Sequence, residues 1–153
     1  MPPPARSRRQ RRLDALHRLK HDVDVWVATA GDEAYLVPLS FRWDGRTLLL
    51  ATASASPTAR NLMATGKVRL GLGETRDVVL IEGTVEAFPA TEISPEEGDA
   101  FAVKTDFDPR TLRDPYHYFR VFPRRIQAWR EVNELAERVL MTGGRWVAAA
   151  LAD

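Results

Sequence analysis

The chain of 153 residues contains no cysteine, so disulfides and thiolate metal sites are excluded. No apolar run approaches the length that crosses a bilayer, and the first residues lack the apolar centre of a signal peptide. The expectation is a cytoplasmic protein with no membrane partner. Histidine is scarce: His17, His21 and His117 have no metal-ligand spacing with one another. His17 and His21 stand four residues apart among basic residues and are expected to face solvent. The sequence offers no convincing nucleophile–base pair, and the Asp106/Asp108 pair reads as turn formation in a Pro-containing loop. A glycine-rich strand-to-helix fingerprint is also missing, which argues against a Rossmann domain.

A hydrophobic share of 44% and a charged share of 28% describe a globular domain with enough chain for a sizeable core. The net charge of +1 conceals an asymmetry. Seven of the basic residues (Arg6, Arg8, Arg9, Arg11, Arg12, Arg18 and Lys20) stand in the first twenty positions against Asp14 alone, so the remainder is net acidic. Residues 1–9, with three consecutive prolines, are expected to form a disordered basic arm, and residues 10–153 a single domain.

Leu13, Leu16 and Leu19 mark a short amphipathic helix over residues 10–21. Val23, Val25 and Val27 then alternate with Asp24, Trp26 and Ala28, a strand pattern; Trp26 is expected to contribute mainly to the fold. In residues 34–43, Tyr35, Val37, Leu39, Phe41 and Trp43 share one face, and Leu36, Pro38, Ser40 and Arg42 the other. Pro38 has no N–H to donate, so that side of it must meet an edge, a bulge or a ligand. Asp44-Gly45 gives a hairpin into residues 47–53. Strands are expected at 68–72 and 78–88, with Gly83 marking a bulge or barrel corner, and again at 116–122 and 125–130. Val132, Leu135, Ala136, Val139 and Leu140 give a helical stripe ending at Gly143-Gly144. Roughly six or seven short, mostly hairpin-linked strands with small helices suggest a closed antiparallel barrel.

Chemistry centres on residues 51–62. A short apolar strand runs into Ser56-Pro57, where a hydroxyl can cap free N–H groups and a proline takes the first helical position. Such a helix start, with the positive end of its dipole, suits an anion. The second Ser-Pro start, Ser94-Pro95-Glu96-Glu97, supplies its own carboxylates and has the spacing of a capping box. At Ser56 no carboxylate follows; Thr58 and Arg60 do. An ordinary capped helix with Arg60 in solvent is the alternative reading.

Three ordered segments, Asp24-Val25-Trp26-Val27-Ala28-Thr29, Val37-Pro38-Leu39-Ser40-Phe41-Arg42-Trp43-Asp44-Gly45 and Leu50-Ala51-Thr52 with Ser56-Pro57-Thr58-Ala59-Arg60-Asn61-Leu62, resemble the flavin-binding split-barrel family. That family includes the pyridoxamine 5′-phosphate oxidase-like proteins and the flavin/deazaflavin oxidoreductases. The resemblance continues through Glu82-Gly83-Thr84-Val85 to residues 123–129. It implies a mostly β fold: a six-stranded antiparallel split barrel of Greek-key type with small peripheral helices. It further implies a homodimer with a flavin-type cofactor in each of two interfacial grooves. The cofactor phosphate would lie at Thr52, Ser56, Thr58 and Arg60, and the ring along Pro38, Leu39, Ser40 and Ala51. The partner's Trp129 is the candidate aromatic from the other subunit. Many members carry Lys or Arg where Pro57-Thr58 stands here, which removes a charge-assisted phosphate contact. The expected cofactor is FMN, with F420 as the alternative.

The implied activity is hydride transfer to or from an unidentified small molecule, with the cofactor carrying the reaction and residues 106–115 the variable substrate region. Two other readings stand beside it. One is a split barrel that holds a flavin or another planar ligand without turnover. The other is a small nucleic-acid-binding barrel using the basic leader; the net acidic body weighs against it, so no nucleic-acid partner is expected.

Overall fold

The alternation in residues 23–43 becomes a hairpin. In the computed structural model, which describes residues 1–152, β1 (Asp24–Ala30) and β2 (Ala34–Trp43) pair antiparallel from Asp24 opposite Ser40 to Ala30 opposite Ala34. Val25, Val27 and Phe41 are buried in the interior. The chain continues through β3 (Leu48–Ala53), α2 (Pro57–Thr65), β4 (Lys67–Glu74), β5 (Asp77–Pro89), α3 (Pro95–Thr105) and β6 (Tyr116–Trp129), after α1 (Arg8–His21) at its start. The strand order β3-β2-β1-β4-β5-β6 closes on itself because β3 also pairs with β6. The result is the expected six-stranded antiparallel barrel, with small helices around it. Leu48, Leu50, Leu70, Ile81, Val121 and Ile126 fill its core. Among the described residues no helix is long and apolar enough to cross a membrane.

Four details depart from the sequence reading. First, residues 116–122 and 125–130 are one strand, β6, which runs through Pro123. It stays continuous by taking up one extra residue: Glu82 stands opposite Arg125 and Gly83 opposite Pro123, so Arg124 is bulged out of the β5–β6 ladder. Gly83 therefore sits at a bulge, as expected. A Cβ there would lie 2.6 Å from Val121 Cγ1 and 3.0 Å from the Phe122 carbonyl oxygen. Gly83→Ala is expected to lower stability by about 1–3 kcal/mol through overpacking, read as a lower urea midpoint with an unchanged slope.

Second, the helical stripe over residues 132–140 does not make a helix. A single turn at Val132–Glu134 is followed by β7 (Val139–Thr142), β8 (Arg145–Trp146) and α4 (Ala148–Leu151). Glu137 adopts φ 61°, which breaks a right-handed helix, and β7 pairs with the free side of β6 at Ile126 and Gln127. An open strand edge outweighs the local periodicity.

Third, α1 begins at Arg8, capped by Ser7, whose hydroxyl accepts from Gln10 N at 3.0 Å. Its buried face is Arg11, Ala15 and Leu19, spaced four apart, while Leu13 is exposed. Residues 1–9 are not a free arm in this structure: the Arg6 side chain is only 10% exposed and is paired with Glu134. Fourth, Trp26 lies outside the barrel and is 53% exposed, so it is not a core residue.

Candidate functional site

The hairpin β2–β3 is paired only at its turn end. The ladder runs from Trp43 opposite Leu48 to Phe41 opposite Leu50 and then stops, while β3 stays bound to β6 as far as Ala53. The two strands splay, and a gap of about 320 Å³ opens between Pro38, Leu39 and Ser40 on one side and Ala51 and Thr52 on the other.

Backbone direction along each strand follows from single hydrogen bonds. Phe41 N donates to Val23 O at 2.9 Å; alternate residues therefore point toward β1, and positions 38, 40 and 42 point away from it. Pro38 thus costs the β1–β2 ladder nothing, and its missing N–H falls on the gap side. Ser40 N–H faces the gap for the same reason. On β3, Ser54 N donates to Pro115 O at 3.0 Å, toward β6. Ala51, of opposite parity, presents its N–H and C=O to the gap. An edge of unpaired strand backbone is a hydrogen-bonding template.

Side chains finish the walls. Ser40 Oγ donates to Asp24 Oδ1 at 2.7 Å, and Asp24 lines the gap, as do Phe101 from α3 and Phe107 and Tyr116 from either end of the loop. The rings of Phe107 and Tyr116 are 5.7 Å apart and tilted. Beneath them lies a second apolar cluster of Leu49, Ala51, Phe101 and Tyr118, in which Phe101 meets the Tyr118 ring edge-on at 5.4 Å. The Tyr118 hydroxyl is buried without a hydrogen-bond partner. Burial pushes its pKa up to about 12, and the charge of Asp108 adds to the effect. Phe101 and Phe107 escaped the sequence reading because α3 and the loop after it reach the gap only through the folded chain; Asp24 escaped it because the pairing that sets it opposite Ser40 needs the hairpin register.

At the end of the gap β3 turns into α2. Ser56 Oγ accepts from Ala59 N at 3.1 Å, and Thr52 Oγ1 lies 3.3 Å from Ser56 Oγ. The first turn of α2 has no acidic residue, in contrast to Glu96 and Glu97 on α3. Gly66 closes α2 in the left-handed conformation (φ 65°), as its sequence suggested. The capping box on α3 is only half formed. Ser94 Oγ accepts from Glu97 N, but the Glu97 carboxylate is drawn to Arg120 at 2.6 and 2.7 Å.

The nine sequence-predicted residues do not all converge. Pro38, Leu39, Ser40, Ala51 and Thr52 line one gap, and Ser56 is tied to it through Thr52. Arg60 is exposed on α2, one turn on, with no side-chain partner among the described residues. Thr58 is 1% exposed, lies with Ala59 and Leu62 on the buried face of α2, and does not line the gap. Trp129 stands opposite Val78, under the Arg138 guanidinium at 5.8 Å, and does not line the gap of its own chain.

A polar pair that the sequence reading missed sits beside the junction. Ser54 Oγ and His117 Nδ1 are 2.6 Å apart, separated by 63 positions in the chain. His117 is registered opposite Thr52 across β3–β6. Asp108, read as a turn former, accepts from Arg110 N at 3.0 Å at the start of the turn Pro109–Thr111.

The family model described as pyridoxamine 5′-phosphate oxidase matches residues 17–130. No curated protein sequence matches the chain. Among solved structures, the chain is similar to a Clostridium acetobutylicum protein related to general stress protein 26 of B. subtilis, of the pyridoxinephosphate oxidase family. That match has a TM-score of 0.63 at 13% identity and covers 81% of this chain and 91% of the other. An F420 reductase matches with a TM-score of 0.60 at 18% identity, covering 72% of this chain and 93% of its own. An FAD-binding protein from Mesorhizobium loti matches with a TM-score of 0.58 at 19% identity, covering 74% and 88%.

Proposed function

The chain belongs to the pyridoxamine 5′-phosphate oxidase family, and from that premise we propose that it is an oxidoreductase holding FMN in the gap between β2 and β3. The observation that carries the proposal is the splayed hairpin: a slot with free strand backbone on its walls, leading to a helix N-terminus without carboxylates. The presence of an F420 reductase and an FAD-binding protein among the similar structures supports a flavin-type group. FMN is preferred, and F420 is the alternative.

The residues present fit such a group. Ser40 N–H and the N–H and C=O of Ala51 would hold the polar edge of a planar ring against Pro38 and Leu39. Thr52, Ser56 and the first turn of α2 would hold a phosphate, with Arg60 supplying the cation that Pro57-Thr58 does not. When bound, the cofactor would supply the hydride-transferring ring. Phe101, Phe107 and Tyr116 would exclude water from one side of it and leave a small-molecule substrate to enter beside the loop they border. Asp24 fixes the Ser40 hydroxyl. The outer-face residues Trp26, Leu36 and Leu80 support assembly as a homodimer.

The test is a titration with FMN, riboflavin and F420, followed by absorbance and fluorescence. Saturable micromolar binding of FMN, with riboflavin weaker for want of the phosphate, is expected. Arg60→Ala should lower FMN affinity about ten- to hundredfold, the equivalent of roughly 1.5–3 kcal/mol for a hydrogen bond to a charged group, and leave riboflavin unaffected. Absence of saturable binding by FMN and F420 alike would overturn the reading.

A further inference from the structure

A cavity larger than the gap lies away from it and shares no lining residue with it. It is an open groove of about 860 Å³ bounded by the β2–β3 turn, the outer faces of β5 and β6, and the β7–β8 turn. Its volume falls within the range of small-molecule sites, about 300–1,000 Å³. Two features distinguish it from ordinary surface.

One is the charge. Arg46, Arg124 and Arg145 border the groove from three different elements, all are exposed, and none has a carboxylate partner among the described residues. The fourth arginine there, Arg120, is already held by Glu97. Of the two carboxylates in the groove, Asp44 is engaged by Arg46 N, Thr47 N and the Thr47 hydroxyl and lies 3.6 Å from Arg120; these contacts hold its pKa below the usual carboxylate range against the partial desolvation that raises it. Glu86 stands opposite Arg120 across β5–β6. Three guanidinium groups, against the one carboxylate of Glu86 that has no ion pair among the described residues, are left to face whatever enters. Their planar forks suit the oxygens of a phosphate.

The other feature is the apolar wall. Trp43, Phe122 and Trp146 line the same groove, each half-buried. Arg12, on α1, lies over the Trp146 ring at 5.5 Å. Aromatic rings beside arginines recognise a planar base and its phosphate together.

We propose that this groove is a second binding site, and that it takes a free nucleoside phosphate. The base packs among Trp43, Phe122 and Trp146, and the phosphate lies on Arg46, Arg124 and Arg145. The site does not depend on the flavin reading, because none of these residues belongs to the gap.

The test uses the full chain and AMP as the probe, followed through tryptophan fluorescence. Saturable quenching is expected, with adenosine bound at least tenfold more weakly. The triple variant Arg46→Ala/Arg124→Ala/Arg145→Ala should bind AMP at least tenfold more weakly while retaining the parent's unfolding midpoint and FMN affinity, since its three positions are exposed. No saturation up to millimolar AMP, or equal affinity in the triple variant, would overturn the proposal. So would displacement of AMP by stoichiometric FMN, which would place AMP in the gap. Binding of an eight-nucleotide RNA strand without binding of AMP would overturn it too, by making the groove a nucleic-acid surface.

Discussion

Arg6→Ala is expected to destabilise the protein by about 3–5 kcal/mol, the range for removing one partner of a buried ion pair. The Glu134 side chain, on the turn after β6, is only 3% exposed and accepts four hydrogen bonds. Arg6 N and Nε donate to its Oε2 at 2.8 and 3.0 Å, and Arg6 Nη2 and Arg130 N donate to its Oε1 at 2.8 Å each. Arg6 also pairs with Asp14 at 2.8 Å, which ties the start of the chain to α1. Arg11, buried below, donates to the carbonyl oxygens of Ala128 and Glu134. Loss of the Arg6 guanidinium would strand a carboxylate inside this network. Deletion of residues 1–9 should do the same, contrary to what their composition suggests.

The pH dependence has a definite sign. The Arg6 side chain holds Glu134 at a pKa of about 2, below its ordinary 4.5. A depressed carboxylate pKa adds stability that is complete above the unfolded value and is lost as pH falls through the folded one. The difference between wild type and Arg6→Ala should therefore be full above pH 4.5 and shrink toward pH 2 in urea unfolding at a series of pH values. Adding Glu134→Gln to Arg6→Ala removes the stranded charge and should recover part of the loss. A single variant within 1 kcal/mol of wild type at pH 7 would show that the pair contributes little.

This network also shows where sequence reading stops. The partners Arg6 and Glu134 are 128 positions apart, and a run of prolines and arginines carries no sign of which carboxylate awaits it. By contrast, β2 was legible because the face that carries the buried Phe41, with Val37, Leu39 and Trp43, alternates with Pro38, Ser40 and Arg42. The start of α2 was legible because Ser-Pro is a local chemical instruction, with the cap and the first turn within four residues. Residues 132–140 misled because their helical spacing was read without knowing that β6 offered a free edge at Ile126 and Gln127. The candidate gap was half legible for the same reason. Its strand walls, Asp24 opposite Ser40 included, come from hairpin chemistry, whereas Phe101 and Phe107 reach it by tertiary packing alone.

The outer face of the sheet, in turn, should govern assembly. Residues directly opposite each other in neighbouring strands share a face, and Pro38, Trp26, Gly71, Leu80 and Gln127 form one row across β2, β1, β4, β5 and β6. Trp26 is 53% exposed, Leu36 60% and Leu80 37%, an apolar strip with glycine at its middle. Pro38, at one end of the row, also lines the gap, and Trp129 stands near the other end, on β6. In the proposed homodimer, a two-fold axis at this face would exchange the two ends of the row and would set each partner's Trp129 toward the gap of the other chain. Trp26→Arg is therefore expected to convert a dimer into a monomer while moving the unfolding free energy by less than about 1 kcal/mol, since its side chain is outside the core. Trp129→Ala should weaken the dimer and lower FMN affinity at least tenfold at both sites together. Light scattering and FMN titration on the same samples decide it: a Trp26→Arg monomer that binds FMN as tightly as wild type would mean that each gap is complete within one chain.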